Sequence, residues 1–441
     1  MTAQARGPHR RGACPGLSAP MPTGDGLLVR LHPIGTIPLG AFTELCAAAR
    51  RYGNGVIEIT SRGSIQVRGL SEDSAPQFAA DIAALDIAAQ DGVPILCSPL
   101  AGIDAGEILD SAAVAAELRR ALARTAFASK PSAKVSVAID GGGSLSLAKL
   151  AADIGLTAQV ENGAAALRIA VGGDRATALS LGAVSPPDAV EAATRLLEVL
   201  ARRGPVARAR DIVAAEGTAV FHEAVASLLV PARPRESGDP GLEFRWRGNE
   251  RRMLSPIGTH PLRDTSLACG IGLAFGHAEA ISLARLADAA GAAGASGLRA
   301  APERTLLAIG LTPDAAPAFA AAADRLGFVV RAEDPRRHVV ACVGAPVCAS
   351  AHIAARALAP LIADKIATRR DDAFTVHISG CVKGCAHAAP TALTVVGTPE
   401  GCALVADGSA RDAPFTLVTS NELPEAILRL ARERKREVAH G

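Results

Sequence analysis

A chain of 441 residues with 46 basic and 44 acidic side chains carries a net charge of only +2. No global field draws such a chain to nucleic acid or a membrane surface, and any anionic ligand must be met by a local cluster of cations. Apolar residues make up 49% and aromatics 3%, so the cores are to be built from Ala, Leu, Val and Ile, and a nucleic-acid surface of stacked rings is excluded. The length exceeds one ordinary core and predicts about two to four domains.

The start of the chain, MTAQARGPHRRGACPG, is basic, rich in Gly and Pro, and reads as a flexible arm over residues 1–20, with the role of Cys14 left open. No apolar stretch of signal type follows it, and no uninterrupted run of about 18 apolar residues occurs, so neither a signal nor a span is expected and the protein is placed in the cytoplasm. A first unit is expected over residues 21–75. In it LLVRLHPIG alternates as a strand, LGAFTELCAAARRYG is a helix stopped by a glycine cap, and GVIEITSRGSIQVRGL is a strand hairpin.

An α/β unit over 76–220 follows, with helices at DSAAVAAELRRALARTAF and PPDAVEAATRLLEVLARRG, and a hairpin at KVSVAIDGGGSLSLAKL turning at Gly141 to Gly143. PARPRESGDPG is the clearest part of a linker over 221–250. Over 251–312 the plan of the first unit returns: CGIGLAFGHAEAISLARLADAAGAAGASGLRAAPERTLLAIGL gives strand, helix, glycine break and strand. It closes on Ile309-Gly310-Leu311 as the first closes on Arg68-Gly69-Leu70, an internal duplication about 240 residues apart. Residues 313–441 form a last α/β unit ending on ELPEAILRLARERKREV, an amphipathic helix whose basic last turn suits its dipole. The fold class is therefore α/β (α+β) and pseudo-symmetric.

That last unit carries Cys342 and Cys348 in ACVGAPVCAS, then Cys381 and Cys385 in HISGCVKGCAH. Two close pairs separated by a long insert can hold one iron–sulfur cluster, because a cubane needs four thiolates converging on one point. Gly344, Gly380 and Gly384 let backbone N–H groups come near the sulfurs. A zinc site is the alternative metal reading, though its knuckles are usually tighter. Four unrelated buried cysteines are the bland one. A disulfide framework is disfavoured by the length of the chain and its nine cysteines.

The C-x5-C and C-x3-C pattern, the duplicated halves and YGNGVIEITSRGSIQ together resemble the siroheme-dependent sulfite and nitrite reductase superfamily from about residue 14 onward. Within it, RGACPGLSAPMPTGDGLLVRL and HISGCVKGCAHAAPTALTVVG are similar to the precorrin-3B synthases, the oxygen-dependent branch that serves aerobic cobalamin synthesis. The resemblance implies a sulfite/nitrite reductase-like fold, with two ferredoxin-like half-domains (21–75 and 251–312) pairing beside two larger α/β domains (76–220 and 313–441). It implies a [4Fe–4S] cluster on Cys342, Cys348, Cys381 and Cys385, the last bridging to siroheme iron in the reductases. Arg62, in TSRGSIQ, matches the arginine that faces anionic substrate or cofactor carboxylates, a task suited to a rigid fork of donors.

Departures from the reductases are equally informative. Lys134-Val135-Ser136 keeps one lysine of the Lys-x-Lys pair, and Val93-Pro94 stands where an Arg-Asn pair precedes the Pro99-Leu100-Ala101-Gly102 turn. A small oxyanion taking many electrons needs several converging cations, and that pocket is dismantled. The implied substrate is precorrin-3A, hydroxylated at C20 with γ-lactone formation from a ring A acetate. Arg30, Arg62, Arg68, Lys134, Arg299 and Arg304 are the candidate partners of its carboxylates, each weighed against a solvated surface charge.

The oxygen-activating centre is expected to be siroheme or a separate non-haem iron, with dioxygen as co-substrate and an external reductant, NADH or a reduced carrier. His32, His377 and His387 lie near the motifs, but no 2-His-1-carboxylate spacing assigns a second metal. The alternatives are a siroheme sulfite or nitrite reductase with an altered pocket, and a non-catalytic iron–sulfur electron carrier. The expected partners are the tetrapyrrole and an electron donor, with no nucleic acid and no membrane.

Overall fold

The computed structural model describes residues 15–90, 92–127, 129–161, 163–231, 254–367 and 374–430. Cys14, the linker beyond residue 231 and the basic last turn of the C-terminal helix lie outside them.

The first half-domain runs Met21–Thr23 (β1), Gly26–Leu31 (β2), Ile37–Pro38 (β3), Leu39–Tyr52 (α1), Val56–Ile59 (β4), Ile65–Leu70 (β5) and Ser74–Ala83 (α2). In α1 the residues Phe42, Leu45, Cys46, Ala48 and Ala49 form one buried stripe, and Arg50 and Arg51 sit at the negative end of the helix dipole. Gly53 ends α1 as expected but for a different reason. Its backbone is extended rather than left-handed, and a Cβ there would stand 2.5 Å from the Arg68 carbonyl.

The first α/β domain runs Ile95–Cys97 (β6), Ser111–Arg124 (α3), Val137–Asp140 (β7), Ala152–Glu161 (β8), Ala164–Gly173 (β9), Leu179–Val184 (β10), Ala189–Arg202 (α4), Ala209–Glu216 (α5) and Ala219–Val225 (α6). Asp110 caps α3 by accepting the Ala113 N–H. The hairpin expected at residues 134–150 is not formed. β7 lies parallel to both β6 and β8, and the Gly141–Gly143 turn instead wraps the Asp140 carboxylate, which accepts from Gly142 N, Leu147 N and Ser146 Oγ.

The second half-domain comprises Gly258–Pro261 (β11), Leu267–Gly272 (β12), His277–Glu279 (β13), Ala280–Ala292 (α7), Gly297–Ala301 (β14), Thr305–Leu311 (β15) and Ala315–Arg325 (α8). The chain then forms Val339–Ala341 (β16), Ala355–Ile366 (α9), Val376–Ser379 (β17), Thr391–Thr398 (β18), Gly401–Gly408 (β19), Thr416–Val418 (β20) and a helix entered at Leu423.

Each half-domain lends a strand to the other. The sheet orders are β1-β2-β5-β4-β13 and β11-β12-β15-β14-β3, so the strand that precedes each helix closes the edge of the opposite sheet. One core unites the two, with Phe42, Phe78, Phe319 and Phe328 among its largest members. Because α2 and α8 contribute to that core, the half-domains continue past residues 75 and 312, where the sequence suggested they end.

Candidate functional site

Alternation along the strands gives each half-domain sheet one face for the shared core and one for its neighbours. On the first sheet Val29, Leu31, Ile57, Ile59, Ile65 and Val67 face the core. On the other face Arg30 is paired with Gln66, Gln66 with Glu58, and Glu58 with His277, one polar row across four strands. Arg68 and His32 flank that row two residues further along their strands, and Ser64 Oγ lies 3.0 Å from His32 Nδ1.

The candidate cations occupy distinct positions. Arg68 is buried, and its fork is taken by Asp25, with Nε and Nη2 donating at 2.9 and 2.7 Å; Glu58 lies 3.7 Å away. It is thus a structural anchor beside the row. Burial works against the Arg68 charge, but Asp25 and Glu58 hold it firmly protonated. Arg62 reaches the first α/β domain, donating to Ser136 Oγ at 3.4 Å and to the Ala151 carbonyl. Lys134, two residues before Ser136, is exposed.

Arg304 extends from the β14–β15 turn to within 3.5 Å of His387 Nδ1, and burial pulls it down to about 10. Arg299 is committed to Thr36 Oγ1 at 2.7 Å and to the Pro99 and Ala101 carbonyls. Arg30 stands near His32, whose pKa burial, then Arg30 and Arg62, push down to about 4. Between the first sheet and the first α/β domain lies a recess of about 190 Å³ lined by His32, Arg62, Ser64, Cys97 and Arg299. Ligand pockets hold about 300–1,000 Å³, so this is an annex of the face rather than the seat of a macrocycle.

The four cysteines are brought together beside this face. Cys342 follows β16 and Cys381 follows β17, two parallel neighbours. Cys342 Sγ accepts the Gly380 N–H at 3.0 Å, as expected for a glycine turn against a sulfur. Cys385 feels the charges of Arg68, Cys381 and Cys348, and Cys342 those of Cys385 and Cys348. Burial pushes the Cys342 thiol up to about 11, with Gly380 and Gly344 N–H groups opposing, so a metal is what would turn it into a thiolate. Among the described residues no three His, Cys, Asp or Glu close on a single metal ion. A cluster that binds each thiolate through a different iron asks for a wider spacing than one zinc does.

The N-terminal hairpin completes the enclosure. The Gly24 carbonyl accepts the Ala349 N–H at 2.8 Å, and a Cβ on Gly24 would lie 2.4 Å from Cys348 Sγ. Any side chain there would have to displace the Cys348 thiol. Next to Gly24, Asp25 makes the pair with Arg68, tying the cysteine loops to the polar row.

Buried atoms without a protein partner mark where a bound group fits. They include Arg356 Nε and Nη2 and both His377 ring nitrogens. His377 and His387 meet edge to face at 5.9 Å; burial, then His387 and Arg304, hold His377 near 3, a neutral ring. Asp25, Glu58, Gln66, His277 and Arg356 escaped the sequence reading. The alternation of VIEI and IQVR does place Glu58, Gln66 and Arg68 on one face, but a polar strand face is ordinarily solvated.

Residues 19–85 match the nitrite/sulfite reductase ferredoxin-like half domain, and residues 91–230 the nitrite and sulphite reductase 4Fe-4S domain. The second match falls on the first α/β domain, which holds only Cys97; the four thiols lie in the last domain. A precorrin-3B synthase from a Sinorhizobium species is 38% identical over 96% of this chain and 88% of that protein. More distant are a ferredoxin–nitrite reductase of Synechococcus elongatus, 24% identical over 91% of this chain and 85% of its own length, and a sulfite reductase [ferredoxin] of Mycolicibacterium paratuberculosis, 25% identical over 90% and 77%. The solved structure of the Mycobacterium tuberculosis NirA protein shares the fold, with a TM-score of 0.71 at 21% identity over 92% of this chain and 80% of that one. Among the described residues no helix is long and apolar enough to cross a membrane.

Proposed function

The chain belongs to the precorrin-3B synthase family of the nitrite and sulfite reductase superfamily, and on that premise we propose that it hydroxylates precorrin-3A at C20, using dioxygen, with γ-lactone formation from a ring A acetate. Its membership makes it an enzyme of cobalamin biosynthesis with an iron–sulfur cluster. One oxygen atom of O2 enters the macrocycle and the other leaves as water, with two electrons and two protons supplied through an external reductant, NADH or a reduced carrier. When bound, the cluster supplies single electrons, and a siroheme or separate non-haem iron supplies the open coordination position that O2 chemistry needs.

The observation that carries this reading is the charged row of the first sheet set against the cysteine loops. Cys342, Cys348, Cys381 and Cys385 would hold the cluster, and Arg30, Arg62 and Arg304 would meet acetate and propionate groups from three directions. Arg68 acts indirectly, through Asp25, by fixing the turn over Cys348. Ser136 in place of a second lysine, and Arg62 held against it, leave a site poorer in the charge-assisted donors that a small oxyanion needs.

The test uses the cluster-loaded enzyme with precorrin-3A, reductant and isotopically labelled dioxygen. Label in the hydroxylated macrocycle is expected, with negligible anaerobic turnover of sulfite or nitrite. Vigorous sulfite or nitrite reduction, with no oxygen-dependent change in precorrin-3A, would return the chain to the reductases.

A further inference from the structure

Glu58 stands in the middle of the polar row, in register between Gln66 and His277. Its side chain is 18% exposed and 3.7 Å from Arg68. The groups that face it come from every element around it: Arg30 on β2, Arg68 on β5, His277 on β13, Arg304 on the β14–β15 turn, Arg356 at the start of α9, and Asp25 on the N-terminal turn. Asp25 occupies the fork of Arg68. Arg356 keeps two buried nitrogens without a partner, and Arg304 has a neutral histidine within reach. Arg68 is the strongest counter-charge of Glu58 but is shared with Asp25, and the next, Arg356 and Arg30, are guanidinium groups suited to an incoming carboxylate.

We propose that Glu58 is the proton acceptor of the binding face: a carboxylate in the free enzyme, it takes a proton from solvent when an anionic tetrapyrrole engages Arg30, Arg304 and Arg356. This rests on the function proposed above. The carboxylates of the macrocycle and Glu58 compete for the same cations, and a low-dielectric face cannot hold both sets charged. Burial already raises the Glu58 pKa, while Arg68, Arg356 and Arg30 lower it and Asp25 opposes them. Withdrawing Arg356 and Arg30 leaves only Arg68, already shared with Asp25, to oppose burial. The result is a neutral acid in the row, formed only when substrate is bound.

Binding coupled to proton uptake must weaken as pH rises. The experiment is anaerobic titration of precorrin-3A into the cluster-loaded enzyme by calorimetry, near neutral pH, in buffers of different ionisation enthalpy. The wild-type enzyme should take up close to one proton per macrocycle, and its affinity should fall up to tenfold per pH unit in that range. Glu58→Gln, neutral at every pH, should lose both dependences while keeping its iron and sulfide. His277, held near 4 by burial and then Arg356, is the competing acceptor, and His277→Asn should leave proton uptake intact.

Wild-type binding without proton uptake overturns the inference alone, and needs no variant. Uptake that survives in Glu58→Gln, or vanishes in His277→Asn, overturns it too. Failure of precorrin-3A to bind overturns both this inference and the function on which it rests.

Discussion

The two halves of the chain repeat the same architecture and have divided the site between them. In the first α/β domain β6, β7 and β8 run parallel and β8, β9 and β10 antiparallel; in the last, β16, β17 and β18 run parallel and β18, β19 and β20 antiparallel. The likeness reaches single atoms. Ser98 N donates to the Ile139 carbonyl as Cys342 N does to Ile378, and Ser98 Oγ accepts the Gly141 N–H at 3.2 Å as Cys342 Sγ accepts that of Gly380 at 3.0 Å. The same cradle holds a hydroxyl and Asp140 in one copy and the Cys342 thiol in the other.

The half-domains show the reverse division. The row Arg30, Gln66, Glu58 of the first sheet corresponds to Gly270, Leu307, Arg299 of the second. Ile309, two residues before the closing leucine, corresponds to Arg68. Apart from Arg299 the second face is apolar, and Ala268, Leu307 and Ile309 pack there on Leu100 and Leu145 of the first α/β domain. One copy of each module packs as scaffold, and the candidate site lies where the polar face of the first half meets the cysteine loops of the second.

The largest expected effect tests that division directly. Replacing Cys342, Cys348, Cys381 or Cys385 with Ala removes a thiolate, so iron, inorganic sulfide and activity should all be lost, as read by metal and sulfide analysis of anaerobically purified protein. Cys46, Cys269 and Cys402, buried in the cores, should tolerate Ala with iron content unchanged. Four variants with full iron and sulfide would dissolve the contrast between the two α/β domains.

Next in size is the pair that anchors the polar face. Asp25 and Arg68 side chains are 0% and 6% exposed, so Asp25→Ala empties the fork of a buried cation, leaves it only Glu58 at 3.7 Å, and should cost toward the lower end of about 3–5 kcal/mol in denaturant unfolding of the holoprotein. Unchanged stability would show that the row is not a structural unit of the first half-domain.

Much of this architecture was legible in the sequence because it rests on local chemistry. The strand–helix–hairpin plan of each half, the duplication, and the cysteine and glycine spacings are all fixed by neighbouring residues. What escaped depends on contacts between distant segments. Nothing local tells whether the polar face of β4 and β5 meets water or a neighbouring domain, so in the sequence Glu58 and Gln66 go unremarked and Arg68 is weighed as a partner of substrate carboxylates against a solvated charge. The reciprocal loan of β3 and β13 is invisible for the same reason, since both are very short strands. At Gly141–Gly143 turn chemistry suggested a hairpin, but Asp140 gathers the loop and frees β7 to pair in parallel.

A smaller effect separates the two half-domain faces by pH. His32 and His277, both on the first, have pKa values pushed down to about 4, by burial above all and then by neighbouring arginines. The unfolded chain binds protons at these sites that the folded chain refuses. Stability should therefore be full above about pH 6.5 and fall as pH drops toward 4. The loss should shrink in the His32→Asn, His277→Asn double variant, measured by thermal unfolding across that range. An acid profile unaltered by the two substitutions would place the acid sensitivity outside the polar face.

The smallest effect concerns the copy of the cradle that holds no cluster. Ser98 is buried, donates to Asp140 Oδ1 at 3.3 Å and accepts from Gly141 N, so Ser98→Ala leaves a buried N–H and one carboxylate lone pair short of a partner. That should cost about 1–3 kcal/mol. Asp140 keeps its bonds from Gly142, Ser146 and Leu147, which hold the turn and place the cost toward the lower end. Iron and sulfide content should not change, because Cys97 is the only thiol of that domain and one thiol cannot assemble a cluster. Iron lost from Ser98→Ala at undiminished folding would mean that the two cradles are coupled, and that the first copy supports the cluster rather than merely resembling its site.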